Sequence, residues 1–305
     1  MRLWALGSAL ALGEPSPNPE LARVHSDDVH RFFEALDAHQ QGLPLKRALR
    51  RHYKRPGSVG LQEAWRINIG SVGRLASSVR AARPYYEALQ PLLEALPEER
   101  EEIRVVFERM EAHIPDAVHP DVYLVVGRLN SAGTLSDTGL FVSIEMFGRN
   151  TGVPFREGSW LARVIKPMTD LDAIVAHELA HYQQSQPNQT VLERCLNEGI
   201  ADVFAEQLSG RHLNPTVYAF AEAHESEIWT HFLAQRHGHS ARDWLYQRPH
   251  PPGWPQDLGY YVGYRIAMGH MERAETPSEG LQHLLDWTDA ELFFQESGVP
   301  KSEAN

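Results

Sequence analysis

The chain has 305 residues, 42% of them apolar and 23% charged, with a formal net charge of −11. That length suffices to bury a sizeable core, and the acidic balance argues against nucleic acid or anionic lipid as the main partner, since both reward clustered Lys and Arg. No apolar run reaches membrane-spanning length, and the single cysteine excludes an internal disulfide framework.

Residues 1–20 carry one early positive charge, a short apolar stretch, a small-x-small site at Ala11-Leu12-Gly13 and a Pro-rich end. They read as a signal peptide or a disordered tail, which favours a periplasmic or secreted location over a cytoplasmic one. From 21 to 115, amphipathic helices are expected near 26–40, 60–82, 84–95 and 98–113, forming an N-terminal helical lobe. The basic run from Lys46 to Arg55 reads there as a solvated helix face. Pro115 and Pro120 break the helical pattern, and Val122–Val126 and Leu140–Ile144 read as β-strands separated by the turn-rich 130–139. Such a hairpin either covers the core or offers an edge to an extended peptide.

Next comes Leu171-Asp-Ala-Ile-Val-Ala-His-Glu-Leu-Ala-His-Tyr-Gln-Gln184, with apolar residues at helical spacing and a capping-box pattern at Thr169 and Asp172. His177 and His181 stand one turn apart on one helix face, where both imidazoles can reach one cation. Glu178 projects at a neighbouring angle, suited to touch a water rather than to join the ligands. With 16 histidines in the chain, roughly 0.07 accidental matches to this pattern are expected, so context must carry part of the argument.

Context comes from a second helix, opened by Thr190 and Glu193 in another capping-box pattern and stopped at Gly210. It is apolar nearly all round, yet it contains Glu198 and Asp202. A buried, unpaired carboxylate costs several kcal/mol or takes up a proton, whereas a divalent cation removes the difficulty. Two antiparallel helices joined by a short turn bring Glu198 to the level of the histidines, and Asp202 one turn further on, placed to accept the outer N–H of a ligating histidine. Cys195 reads as a small buried apolar group beside Glu198.

HExxH followed by Asn197-Glu198-x-x-x-Asp202 resembles the gluzincins, the thermolysin-like zinc metallopeptidases. The resemblance covers residues 169–206 and implies Zn2+ bound by His177, His181 and Glu198, with Glu178 as general base and Asp202 supporting a histidine. A longer likeness rests on Lys54-Arg-Pro-Gly-Ser-Val-Gly-Leu61, on Val122–Gly133 with Gly139–Glu145, and on Gly259-Tyr-Tyr-Val-Gly-Tyr-Arg265. By these segments the chain is similar to a bacterial family of predicted zinc-dependent proteases related to the gliding-motility lipoproteins. It lacks the lipid-attachment cysteine of the lipoprotein members, so membrane anchoring is not expected to carry over.

The final third returns to helix after the Pro-rich 249–255. Tyr260 and Tyr264, one turn apart beside Gly259 and Gly263, can lean toward the metal because the glycines permit close helix approach, so either is a candidate donor to a developing oxyanion. Their spacing equally suits packing. His231 and His270 are further candidates.

The expected fold class is α+β, predominantly α-helical, with a zincin-like helix pair, a small sheet or hairpin, the N-terminal lobe, and a catalytic region over 116–305. The expected function is a zinc-dependent peptidase acting on a peptide or protein substrate. A non-catalytic zinc-containing binding or scaffolding protein is the alternative, and esterase or other amidohydrolase chemistry would suit the same centre.

Overall fold

A computed structural model describes residues 15–136, 139–157, 159–246 and 253–300. Its helices are α1 Asp27–Gln40, α2 Leu45–Ala48, α3 Val59–Ala64, α4 Val72–Ala81, α5 Arg83–Ala88, α6 Leu96–His113, α7 Trp160–Val164, α8 Leu171–Gln183, α9 Val191–Ser209, α10 Pro215–Ala223, α11 Glu225–Gln235, α12 Leu258–Met271, α13 Pro277–Asp286 and α14 Ala290–Ser297. The strands are β1 Val24–His25, β2 Val122–Val125, β3 Gly133–Ser136 and β4 Gly139–Ser143. The fold is α+β and predominantly helical. Most of the N-terminal signal or tail lies outside the described residues, as do 249–252 of the Pro-rich loop.

The chain forms two compact units, one of Met1–Arg100 with Val118–Met168 and the other of Glu101–Ala117 with Thr169–Asn305. The boundary expected near 115 therefore falls elsewhere: the sheet groups with the N-terminal helices. The reason is long-range pairing, because β1 lies parallel to β2 with Val24 opposite Val122, tying the start of the chain into the sheet.

In that first unit the strand order is β1-β2-β4-β3. The two strands expected to form a hairpin are instead parallel neighbours, Val122 facing Leu140 and Val125 facing Ser143. Every residue of β2 and β4 is buried, the mark of interior strands, and the true hairpin partner of β4 is β3, from the stretch expected to be only turns. Beyond β2 the backbone loses its strand partners, and side chains take over. The Tyr53 hydroxyl donates to the Val126 carbonyl at 2.8 Å and accepts from the Val126 N–H, and the Tyr86 hydroxyl donates to the Gly127 carbonyl at 3.1 Å. Glu145 accepts from the N–H groups of Gly127 at 2.7 Å and Leu129 at 3.1 Å. Burial pushes the Glu145 carboxyl up to about 7, with those N–H groups pulling the other way.

The second unit is built around α8, α9 and α12. At the start of α9 the capping box is complete: Thr190 accepts from the Glu193 N–H, and Glu193 reaches back to the Thr190 N–H at 2.9 Å. Gly210 ends the helix in a left-handed conformation, φ 76°. The box expected at Thr169 and Asp172 does not form, because α8 is entered from a 3-10 turn and buried Asp172 accepts from the Ala173 N–H and pairs with Arg211 at 3.3 Å. Between α9 and α12 main chain meets main chain. A Cβ on Gly263 would lie 1.7 Å from the Cys195 carbonyl oxygen, and one on Gly199 would lie 2.0 Å from the Gly263 backbone. Cys195 is fully buried at this crossing, and its thiol is pushed up by burial and then by Glu198.

Candidate metal centre

Near the middle of α8, His177 and His181 project from one face, with their Nε2 atoms 3.1 Å apart. Glu198, from the middle of α9, brings Oε2 to 3.3 Å from the Nε2 of His177 and 3.4 Å from that of His181. Sequence-distant side chains thus meet at one point. Ligand atoms of a tetrahedral zinc with bonds of about 2.1 Å lie about 3.4 Å from one another, so the spacing suits such an ion.

Proton bookkeeping strengthens this fit. The Nδ1 of His181 lies 2.7 Å from the Gln184 side-chain oxygen, whose orientation is fixed because the same amide donates to the Asn197 carbonyl at 2.8 Å. The Nδ1 of His177 lies 2.9 Å from Oδ1 of Asp202, and these two buried atoms face each other off the ideal hydrogen-bond line with no other partner. The network therefore assigns both ring protons to Nδ1. With both rings neutral, two Nε2 lone pairs and a carboxylate oxygen converge, an arrangement that repels itself unless a proton or a metal cation sits at its centre. Among the described residues, these three are the group of His, Cys, Asp and Glu side chains able to hold a metal ion.

The electrostatics carry the same message. Burial works against a charged His177, yet its contacts with Asp202 and Glu198 outweigh this and push it up to about 10. His181 rises as well, Glu198 overcoming the effect of burial. Burial alone would raise Glu198, but the neighbouring His181 and His177 hold its carboxyl well below the usual carboxylate range. The cluster demands positive charge, which a proton or a divalent cation supplies.

Around the three groups stands a supporting shell. Oδ2 of Asp202 accepts from Asn214 Nδ2 at 3.0 Å and from the Tyr218 hydroxyl at 2.8 Å, which fixes the carboxylate and leaves Oδ1 for His177. Asn197 donates to the Pro187 carbonyl at 3.0 Å, tethering the turn between the two helices. Glu178 has no hydrogen-bond or ion-pair partner among the described residues. Burial raises its carboxyl above the ordinary value, with His177 and His181 opposing, so Glu178 is a stronger base than a surface glutamate.

The two candidate tyrosines part ways. The Tyr260 ring lies stacked near His177, with centroids 6.0 Å apart, whereas the Tyr264 hydroxyl donates to Glu206 at 2.6 Å and its ring packs on Tyr218 and His212. Tyr264 is thus engaged away from the cluster. His270 donates from Nε2 to the Phe293 carbonyl and meets His283 through Nδ1, and His231 packs on Trp254, so neither joins the site. The residues that sequence did not single out are Gln184, Asn214, Tyr218 and Tyr246, whose hydroxyl donates to Oε1 of Glu198 and bonds to Tyr260. Only Gln184 carried a readable signal, its i,i+3 spacing from His181 on one helix face.

Fold and site together define a predominantly helical α+β protein with a His-His-Glu cluster whose ligand atoms lie close enough together to hold one metal ion. The chain belongs to the family described as gliding motility protein GldB, whose model matches residues 28–299. No curated protein and no solved structure shows significant similarity to it. Among the described residues no helix is long and apolar enough to cross a membrane.

Proposed function

We propose that the protein is a zinc-dependent peptidase of gluzincin type. The observation that carries this reading is the convergence of one possible ligand atom each from His177, His181 and Glu198 beside a carboxylate, Glu178, that has no hydrogen-bond or ion-pair partner among the described residues. His177, His181 and Glu198 would hold the divalent cation, which when bound would supply Lewis acidity toward a water and a substrate carbonyl. Glu178 takes the proton of the attacking water and delivers it to the leaving amine, a role that its raised basicity suits. Asp202 keeps the His177 ring oriented and its proton on Nδ1. Tyr260, beside His177, is the hydroxyl we assign to the developing oxyanion, and Tyr264 is not. The family's gliding-motility description supports action in the cell envelope, on a peptide or protein there.

The competing reading, a zinc-containing scaffold without chemistry, fits the family description but gives Glu178 no task. Mass spectrometry of a mixed peptide library incubated with the zinc-loaded protein separates the two. Chelator-sensitive cleavage is expected, and Glu178→Gln should keep its zinc while turnover falls by about 10²–10⁴-fold. Stoichiometric zinc with no cleavage by the intact protein would favour the scaffold; full turnover by the Gln variant would remove Glu178 as base.

A further inference from the structure

The carboxylate of Glu198 has two oxygens, and the structure treats them differently. Oε2 faces both imidazoles, while Oε1 accepts the hydroxyl of Tyr246. Tyr246 comes from outside the helices that carry the cluster, and its backbone is held in a costly conformation: φ is 64°, the left-handed region that a bulky residue rarely enters. Its N–H donates to Oδ1 of Asp257 at 2.7 Å, and Asp257, the residue preceding α12, is itself left-handed at φ 67°. Asp257 thereby gives up the side-chain cap that a residue in its position ordinarily supplies to its helix, and among the described residues these two and Leu129 are the non-glycine residues of positive φ. Two strained residues that lock one another persist only where the surroundings over-determine them, and here the outcome is a phenol set on one oxygen of a buried carboxylate. Tyr246 is 63% exposed overall, so packing of its ring is not what holds it. Tyr260 joins from the side, bonded to the Tyr246 hydroxyl and with its ring edge-on at 6.3 Å.

We infer that Tyr246 is a positioning residue that occupies Oε1 of Glu198, confining this side chain to a single ligand oxygen and so reserving a coordination position for water or substrate. The inference rests on the metal-site reading of His177, His181 and Glu198. A glutamate with a free second oxygen beside a divalent cation can turn both oxygens onto it, raising the coordination number and reducing Lewis acidity; a phenol on that oxygen prevents this. Asp257 acts through the backbone, holding Tyr246 in place.

Cobalt(II) substituted for zinc reports coordination number directly, since four-coordinate cobalt has intense visible d–d bands and five-coordinate cobalt weaker ones. The full-length wild-type protein loaded with cobalt should show the intense spectrum. Tyr246→Phe should weaken those bands, and Asp257→Ala, which leaves the phenol in place but frees its backbone, should move the spectrum in the same direction. Circular dichroism of both variants should match the wild type, since neither side chain lies in the core. Identical cobalt spectra for wild type and Tyr246→Phe would overturn the inference while leaving the metal site intact. Absence of d–d bands in the wild type would instead sink the metal reading and the inference with it.

Discussion

Glu145 and Glu198, one buried glutamate from each unit, are driven in opposite directions. Glu145, in the unit that holds the sheet, meets only backbone N–H groups, and burial pushes it up to about 7. Glu198, in the unit of long helices, is held well below the usual range because two imidazoles stand within 3.4 Å of it. Burial of a carboxylate is therefore not evidence of a functional site; what surrounds it decides. Glu145 closes the backbone of a chain leaving its strand, as Tyr53 and Tyr86 do beside it, and nothing further is required to account for it. Glu198 instead converges with two imidazoles on one point, and such a cluster needs positive charge among its donor atoms, from a proton or a metal cation.

Removing a base should break the contrast most severely. His177→Ala leaves Asp202 and Glu198 buried without the group that compensates them, so the chelated protein should lose about 3–5 kcal/mol in urea denaturation and take up no zinc. Unchanged stability and zinc content would show that these carboxylates do not depend on His177.

Next in size is the pH response of Glu145. Its folded-state value of about 7 exceeds its ordinary 4.5, so between these limits the unfolded chain has released a proton that the folded chain still holds. The contribution of Glu145 is thus present at low pH and lost as pH rises toward 7, by about 3 kcal/mol. In Glu145→Gln this part of the pH dependence should vanish, although stability at pH 4.5 should fall because one amide oxygen replaces the two that serve Gly127 and Leu129. A variant with the wild-type pH profile would exclude Glu145 as the titrating group.

The smallest effect sharpens rather than breaks the contrast. Asp202→Asn keeps the shape but cannot serve His177, Asn214 and Tyr218 with two acceptor oxygens. Zinc affinity, measured by competition with a chromophoric chelator, should weaken about 10–100-fold. An unaltered affinity would leave Asp202 a packing residue only.

What was legible in the sequence was local. The helix pair could be read because capping at Thr190, termination at Gly210 and the 3.6-residue spacing of His177 and His181 are written within a few residues of where they act. Strand pairing was not legible, since nothing near Val122 says that its neighbours will be Val24 and Leu140 rather than the next strand along. The pattern at Thr169 and Asp172 misled because Arg211, 39 residues beyond Asp172, took the carboxylate. Asn214 and Tyr218 reach Asp202 from α10 and its approach, and Tyr246 reaches Glu198 through a backbone conformation that no side-chain pattern announces.

The contact of Gly199 with Gly263 limits how this centre can accommodate a visitor. With backbone pressed on backbone there is no rotamer to flip and no slack to take up, so the helix bearing Tyr260 cannot slide along the one bearing Glu198 without the pair separating bodily. Whatever give the centre has must come from side chains and not from this helical frame.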